Sequence, residues 1–150
     1  MKKIELRVIA PTMATDKSPY KFNAPVDMVI MRCTTGDLGI LPGRVPVSMV
    51  LGTGILRVLD EENEKHIAIM GGIAHVSDDI VTVLSDAALN PDEIEIEKVQ
   101  SELKELRSKY EETTDLLEKT NFRDELNRLQ VLVDVGAQGT HPFSKASPEK

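Results

Sequence analysis

The sequence has no tryptophan, and aromatic residues make up only 3% of its 150 residues. A core must therefore be assembled from Val, Ile, Leu and Met, and the aromatic platforms on which single-stranded nucleic acid stacks are missing. The one cysteine, Cys33, excludes an internal disulfide, and its expected role is a buried, inert thiol. Positive charge is short as well. Eighteen Lys and Arg stand against 25 Asp and Glu, a net of −7. That balance leaves no basic stripe for duplex nucleic acid or for anionic lipid. No run approaches the roughly eighteen apolar residues of a membrane span, so any membrane association is expected only through a partner. Met1-Lys2-Lys3 passes directly into an alternating pattern without the apolar core of a secretory signal.

The familiar catalytic signatures are missing too. There is no Gly-rich phosphate loop, no dinucleotide fingerprint and no nucleophile elbow. His66, His75 and His141 are scattered without metal spacing, and the acid pairs Glu61-Glu62 and Asp78-Asp79 fall in turns, where solvated carboxylates are expected. Neither an active site, nor a metal, nor a cofactor is expected.

What is present has the ordinary balance of a folded chain: 41% hydrophobic and 29% charged residues, enough for one globular domain with a modest appendage. Ile4, Leu6 and Val8 alternate with Glu5 and Arg7, a half-buried strand. Tyr20–Phe22, Val26–Cys33, Val47–Leu51, Ile55–Leu59, Ile67–Met70, Ile73–Val76 and Ile80–Leu84 read as further short strands. Gly52-Thr53-Gly54 and Gly71-Gly72 interrupt them as a break and as a bulge or tight bend. Between the third and fourth strands lies Gly36-Asp37-Leu38-Gly39-Ile40-Leu41-Pro42-Gly43-Arg44-Val45-Pro46, with three glycines and two prolines in eleven residues. Taken by itself it is a tight, shaped loop. This density of short strands predicts a β-sandwich or barrel over residues 1–89.

Near residue 90 the period changes. Asn90-Pro91-Asp92-Glu93 has a cap, a proline at the first helical position and acids in the first turn. Ile96, Val99, Leu103, Leu106 and Tyr110 then recur at helical spacing. Thr113-Thr114-Asp115 is suited to cap a second helix with a seam of Phe122, Leu126, Leu129 and Val133, flanked by Leu116, Leu117 and Leu132 and ended by Gly136 and Gly139. The reading is a two-helix unit over 90–135, folded as a hairpin or laid on the sandwich, with one long helix through Thr113 as the alternative. Residues 136–150 are polar and are expected to be a disordered tail.

Four segments in order carry a resemblance: the 36–46 stretch, then Gly54-Ile55-Leu56-Arg57-Val58, Met70-Gly71-Gly72-Ile73-Ala74-His75-Val76 and Val81-Thr82-Val83-Leu84-Ser85-Asp86-Ala87-Ala88. Together with the helical pair they resemble the epsilon subunit of F-type ATP synthases over residues 4 to about 134. The resemblance implies a β-sandwich followed by a C-terminal α-helical hairpin, and a non-catalytic rotor subunit in a hetero-oligomer on the cytoplasmic face of the bacterial membrane. It implies as partners the gamma subunit, the ring of c subunits and the alpha/beta catalytic head. It gives Gly36, Asp37, Leu38, Gly39, Ile40, Leu41, Pro42, Gly43 and Arg44 the role of a loop facing the c ring and stalk, with Asp37 where the family has Glu and Arg44 where it commonly has His.

The resemblance also implies that the helices regulate ATP hydrolysis, with Lys119, Arg123 and Arg128 facing acidic surface on the head. Those three cations stand among Asp115, Glu118, Asp124, Glu125 and Asp134, which predicts weak or salt-dependent inhibition. Some members bind ATP through Ile-Asp-x-x-Arg-Ala. Here Ile94, Glu95, Lys98 and Val99 occupy the pattern, with Lys for the bidentate Arg and Val for the small Ala, so little ATP binding is expected. A free nucleotide sensor is the competing reading, and a small enzyme would need a His or Cys constellation that the sequence does not contain.

Overall fold

The computed structural model describes residues 2–11, 20–137 and 144–145. Its strands are β1 (Ile4–Ile9), β2 (Tyr20–Val26), β3 (Met28–Cys33), β4 (Gly36–Ile40), β5 (Val47–Asp60), β6 (Asn63–Ser77), β7 (Ile80–Leu84) and the short β8 (Ala88–Leu89). A single 3-10 turn (Pro91–Glu93) leads to the helices α1 (Ile96–Glu112) and α2 (Leu116–Gly136), and β9 (Ser144–Lys145) pairs with β6.

One sheet runs β2-β1-β7-β6-β5-β3-β4. Buried residues from both ends of that path, Leu6, Val8 and Val26 on one side and Val29, Met31 and Ile40 on the other, share one core cluster. The sheet therefore folds over onto itself as a β-sandwich, the architecture the strand spacing predicted. Every pairing is antiparallel except β1 with β7. The alternation in β1 is realised residue by residue, with Ile4, Leu6 and Val8 buried and their neighbours half-exposed.

Three local expectations are corrected. Gly52-Thr53-Gly54 does not break a strand: β5 is continuous, and its register with β6 carries from Val47↔Val76 through Thr53↔Met70 to Asp60↔Asn63. Glycine is needed there at Gly54, where the stem of Arg32 lies so close that a Cβ would sit 2.6 Å from the Arg32 Cβ. Second, the 36–46 stretch is only half loop. Residues 36–40 form β4, paired from Val29↔Ile40 to Cys33↔Gly36, because Leu38 and Ile40 have a core to enter. Third, Asn90-Pro91 opens the 3-10 turn rather than the long helix. Ile94 and Glu95 are extended, and α1 starts only at Ile96.

Gly71-Gly72 is the sharp bend expected of it, with φ of 79° and 127°. At Gly72 a Cβ would lie 2.1 Å from the Leu84 carbonyl oxygen, so only glycine lets β7 approach. Ser85, buried beside it, donates its hydroxyl to the Gly71 carbonyl at 2.7 Å.

The helices form an antiparallel hairpin broken at Thr113–Asp115, where the Asp115 carboxylate accepts from the Leu117 N–H at 3.1 Å. The α1 seam is as predicted, with Val99 and Leu103 buried. That of α2 shifts: Val131, Leu132 and Val135 are buried beside Leu129 because the last turns are covered on two sides, by α1 and by Ile55, Ala68 and Met70 of the sheet. The expected disorder of the tail concerns 138–143 and 146–150, which lie outside the described residues, as does Gly139.

Candidate docking surface

The sandwich carries a surface that the sequence reading missed. Val50 pairs with Ile73 across β5–β6, Ile73 with Leu84 across β6–β7, Leu84 with Ile9 across β7–β1 and Ile9 with Tyr20 across β1–β2. Cross-strand partners share a face. This is the outer face, since the residues beside them, Leu51, Ala74, Val83 and Val8, are buried. Val50, Ile73, Leu84 and Tyr20 are 57, 52, 45 and 44% exposed. Five strands thus present one continuous apolar row to solvent, the kind of feature that marks a protein-binding site. Beside it runs a polar row of Ser48, His75, Thr82 and Arg7, in which the Ser48 hydroxyl and His75 Nδ1 are 2.8 Å apart and Arg7 pairs with Glu5 at 2.7 Å. An apolar centre with a hydrogen-bonding rim is the usual anatomy of an interface. The signal in the sequence was the doubling of apolar residues at strand ends, as in Val50-Leu51 and Val83-Leu84.

The loop residues are divided rather than gathered. Asp37, at the start of β4, pairs with the Arg32 Nε at 2.6 Å. Both line a groove of about 310 Å³ between the sheet and α2, together with Arg57, Asn127, Gln130 and Asp134. Leu38 and Gly39 are half-buried and Ile40 is fully in the core. Leu41 and Val45, 55 and 73% exposed, flank the Pro42-Gly43 turn, with Arg44 exposed between them. Gly43, at φ 90°, donates its N–H to the Asp79 carboxylate at 2.7 Å, and Lys2 reaches the same carboxylate at 3.1 Å. These contacts hold the Asp79 carboxyl below the usual carboxylate range. Asp79, expected to be merely solvated, is the tether of the loop. Asp37 and Arg44 lie at opposite ends of β4, about 10 Å of strand plus a turn apart.

Of the motif residues, Ile94 and Glu95 form the extended pair, Lys98 is exposed, and Val99 points into the helical core. Ile94, Glu95 and Lys98 line a cleft of about 620 Å³ whose other charged walls are Asp92 and Glu97. One ammonium against three carboxylates opposes a polyphosphate.

The basic residues of α2 are already engaged. Lys119 Nζ lies 4.9 Å from the Tyr110 ring centre, and the Arg123 guanidinium donates to the Tyr110 hydroxyl, holding its pKa below the usual phenol value. Arg128 pairs with Glu125 at 3.3 Å. The apolar tip of the hairpin, Leu116 and Leu117, is 77 and 69% exposed. Among the described residues no group of three or more His, Cys, Asp or Glu is placed to hold a metal, and no helix is long and apolar enough to cross a membrane.

Residues 5–102 match the family model for the ATP synthase delta/epsilon chain, beta-sandwich domain, which defines the class of the chain. An ATP synthase epsilon chain of Prochlorococcus marinus (strain MIT 9211) is 37% identical over 133 residues, 87% of this chain and 94% of that one. One from Synechococcus elongatus is 42% identical over 98 residues, 65% of this chain and 67% of the relative. Among solved structures, a chain in the cryo-EM structure of the Euglena gracilis mitochondrial ATP synthase, OSCP/F1/c-ring, matches with a TM-score of 0.64 and 27% identity over 84% of this chain and 79% of that one. A chain of the Tetrahymena thermophila central stalk and c-ring shares the fold, with a TM-score of 0.54 at 13% identity, over 90% of this chain and 97% of that one.

The chain belongs to the epsilon-subunit family of F-type ATP synthases. It is a subunit of the complex, and the structural match is to central-stalk and c-ring assemblies.

Proposed function

We propose that the sandwich is a rotor piece that docks on the gamma subunit through the apolar row Val50–Ile73–Leu84–Ile9–Tyr20, and that the Leu41–Val45 loop faces the c ring. The carrying observation is the row itself, in register across five strands and exposed on the outer face. Half-exposed apolar side chains gain on the order of 1 kcal/mol each when an interface covers them, and the polar row supplies the rim. The chain reaches the membrane only through these partners and turns with them. No nucleic acid is involved.

The test is co-elution with the gamma subunit from the same source on a sizing column. The full chain should co-elute and Ile73→Glu should not, while its circular dichroism stays that of the wild type, since the side chain is outside the core. Co-elution of the variant at wild-type strength would refute the assignment of the face.

The helical hairpin serves regulation in this reading rather than assembly. Its basic residues are held by Tyr110 and Glu125 in the closed form, so a contact with an acidic head must release them. ATP is not the signal, because the acid-lined cleft beside Ile94 and Glu95 repels a triphosphate and Val99 is spent on the helical core. ATP hydrolysis by the complex should rise when residues 90–150 are deleted, and an unchanged rate would reject the inhibitory role.

A further inference from the structure

We propose that the helical pair pivots at Ile94–Glu95, that residues 90–93 stay with the sandwich as a fixed clamp, and that the seat of Gly136 against Ile94 and Ile96 is the catch that keeps the pair closed. The purpose of such a pivot rests on the regulatory reading above; its geometry does not.

The turn is held on the sandwich from several directions. Lys21 of β2, its side chain only 14% exposed, pairs with the Glu93 carboxylate at 2.8 Å. The Asn90 side-chain amide donates to the Lys21 carbonyl at 3.4 Å, and Glu93 accepts from the Asn90 N–H at 2.8 Å. Pro91 is buried. Lys65 of β6 is buried with its ammonium 5.4 Å from the Phe22 ring centre. Burial pushes its pKa down while the carboxylates of Asp92 and Glu93 pull it back up. A buried ammonium on the sandwich and two carboxylates on the turn attract each other where water screens poorly. Releasing the turn would leave Lys65 without that compensation.

Beyond the turn the attachment changes character. The Ile94 N–H closes it on the Pro91 carbonyl at 3.3 Å, and the Glu95 carbonyl opens α1 by accepting from Val99 at 3.0 Å. The two extended residues therefore separate two hydrogen-bonded units. Beyond them α1 packs on α2, and α2 packs on β5 and β6. The hairpin is thus held to the sheet chiefly through the far half of α2, with Val131, Leu132 and Val135 in one cluster with Ala68, Ile55 and Met70. At its end Gly136 fits against the pivot: a Cβ there would lie 2.7 Å from Ile96 Cγ1 and 3.1 Å from Ile94 Cγ2. Nothing larger than glycine is accommodated without moving the segment about which the pair would turn.

The experiment is amide-resolved hydrogen exchange by NMR on the full chain. In Gly136→Val, amides across α1 and α2 should exchange faster by about tenfold or more, because helices of this length are marginal once their packing is loosened. The Asn90, Glu93 and Ile94 amides should stay within about twofold of wild type. In Glu93→Ala, a half-exposed position that leaves the core intact, those three amides should accelerate while the β5–β6 amides do not. Acceleration of the turn together with α1 in Gly136→Val would move the pivot ahead of Asn90 and overturn the proposal. Unchanged helix exchange in that variant, or an unchanged turn in Glu93→Ala, would overturn the catch or the clamp. The measurement needs no gamma subunit and no ATP hydrolysis, so failure of the regulatory reading shows in the ATPase assay and not here.

Discussion

Replacing Gly72 by alanine should be among the most damaging single-methyl changes this sandwich can suffer. Two effects add. The residue sits at φ 127°, a region L-residues rarely adopt, which costs of order 1–3 kcal/mol. In addition, the new Cβ would stand 2.1 Å from the Leu84 carbonyl oxygen and 2.7 Å from the Ser85 Cα. Both atoms are backbone, so β6 and β7 must part to admit it. A combined loss of about 3–5 kcal/mol is expected. With a urea slope of about 2 kcal/mol/M, that moves the unfolding midpoint down by roughly 1.5–2.5 M. Gly36 and Gly52 supply the controls. Gly36 has φ 128° but nothing within 4 Å of its Cβ position, so Gly36→Ala isolates the conformational part, about 1–3 kcal/mol. Gly52 has neither a positive φ nor a neighbour within 4 Å, so its alanine variant should be neutral or stabilised by up to about 1 kcal/mol. The assay is urea unfolding of the full chain followed by circular dichroism. If Gly72→Ala unfolds at the same urea concentration as Gly36→Ala, the close approach of β7 is not what fixes glycine at this position.

Two further outcomes are expected. The Asp79 carboxyl is held below its usual range by the Gly43 N–H and Lys2, so its contribution is present above the unfolded pKa of about 4 and is lost as pH falls through the lower folded value. Asp79→Asn should therefore lose stability relative to wild type at pH 6 but converge with it near pH 2 in thermal unfolding scans; parallel curves at all pH values would show that the tether carries no charge-dependent stability. Calorimetric titration of the chain with millimolar ATP should give no saturable heat, whereas Lys98→Arg combined with Glu97→Gln, which shifts the cleft toward positive charge, should bind more than wild type; saturable binding by the wild type would show that the acidic walls do not govern the cleft.

The sandwich was legible because its core strands obey a two-residue period, and the helices because α1 keeps a clean seam from Ile96 to Tyr110. The failures have physical causes. At Gly52–Gly54 glycine was read as a breaker, whereas its task is to let the Arg32 stem cross β5, a tertiary fact that no local pattern carries. Asn90-Pro91 is a sound helix start, but the clamp to Lys21 and Lys65 stops the turn before a helix can propagate. The split of the 36–46 stretch between strand and loop turns on whether Leu38 and Ile40 find a core, which depends on β3 lying alongside. The apolar row was unreadable for a simpler reason. Its members come from five separate strands, and only the register brings Val50, Ile73, Leu84, Ile9 and Tyr20 into line.

The lone parallel pairing, β1 against β7, has a consequence for how the chain is made. The β5–β6 ribbon is a hairpin and can zip as soon as it leaves the ribosome. The first strand to emerge, however, finds its second neighbour only after the seventh has been synthesised. Until then Leu6 and Val8 have no closed core to enter, and β1 with β2 is an open ribbon with one edge unpaired. Contacts of such long sequence separation form slowly, so the nascent sandwich spends most of its synthesis with a sticky flank, and whatever shields that flank during translation decides how much of the subunit reaches its complex.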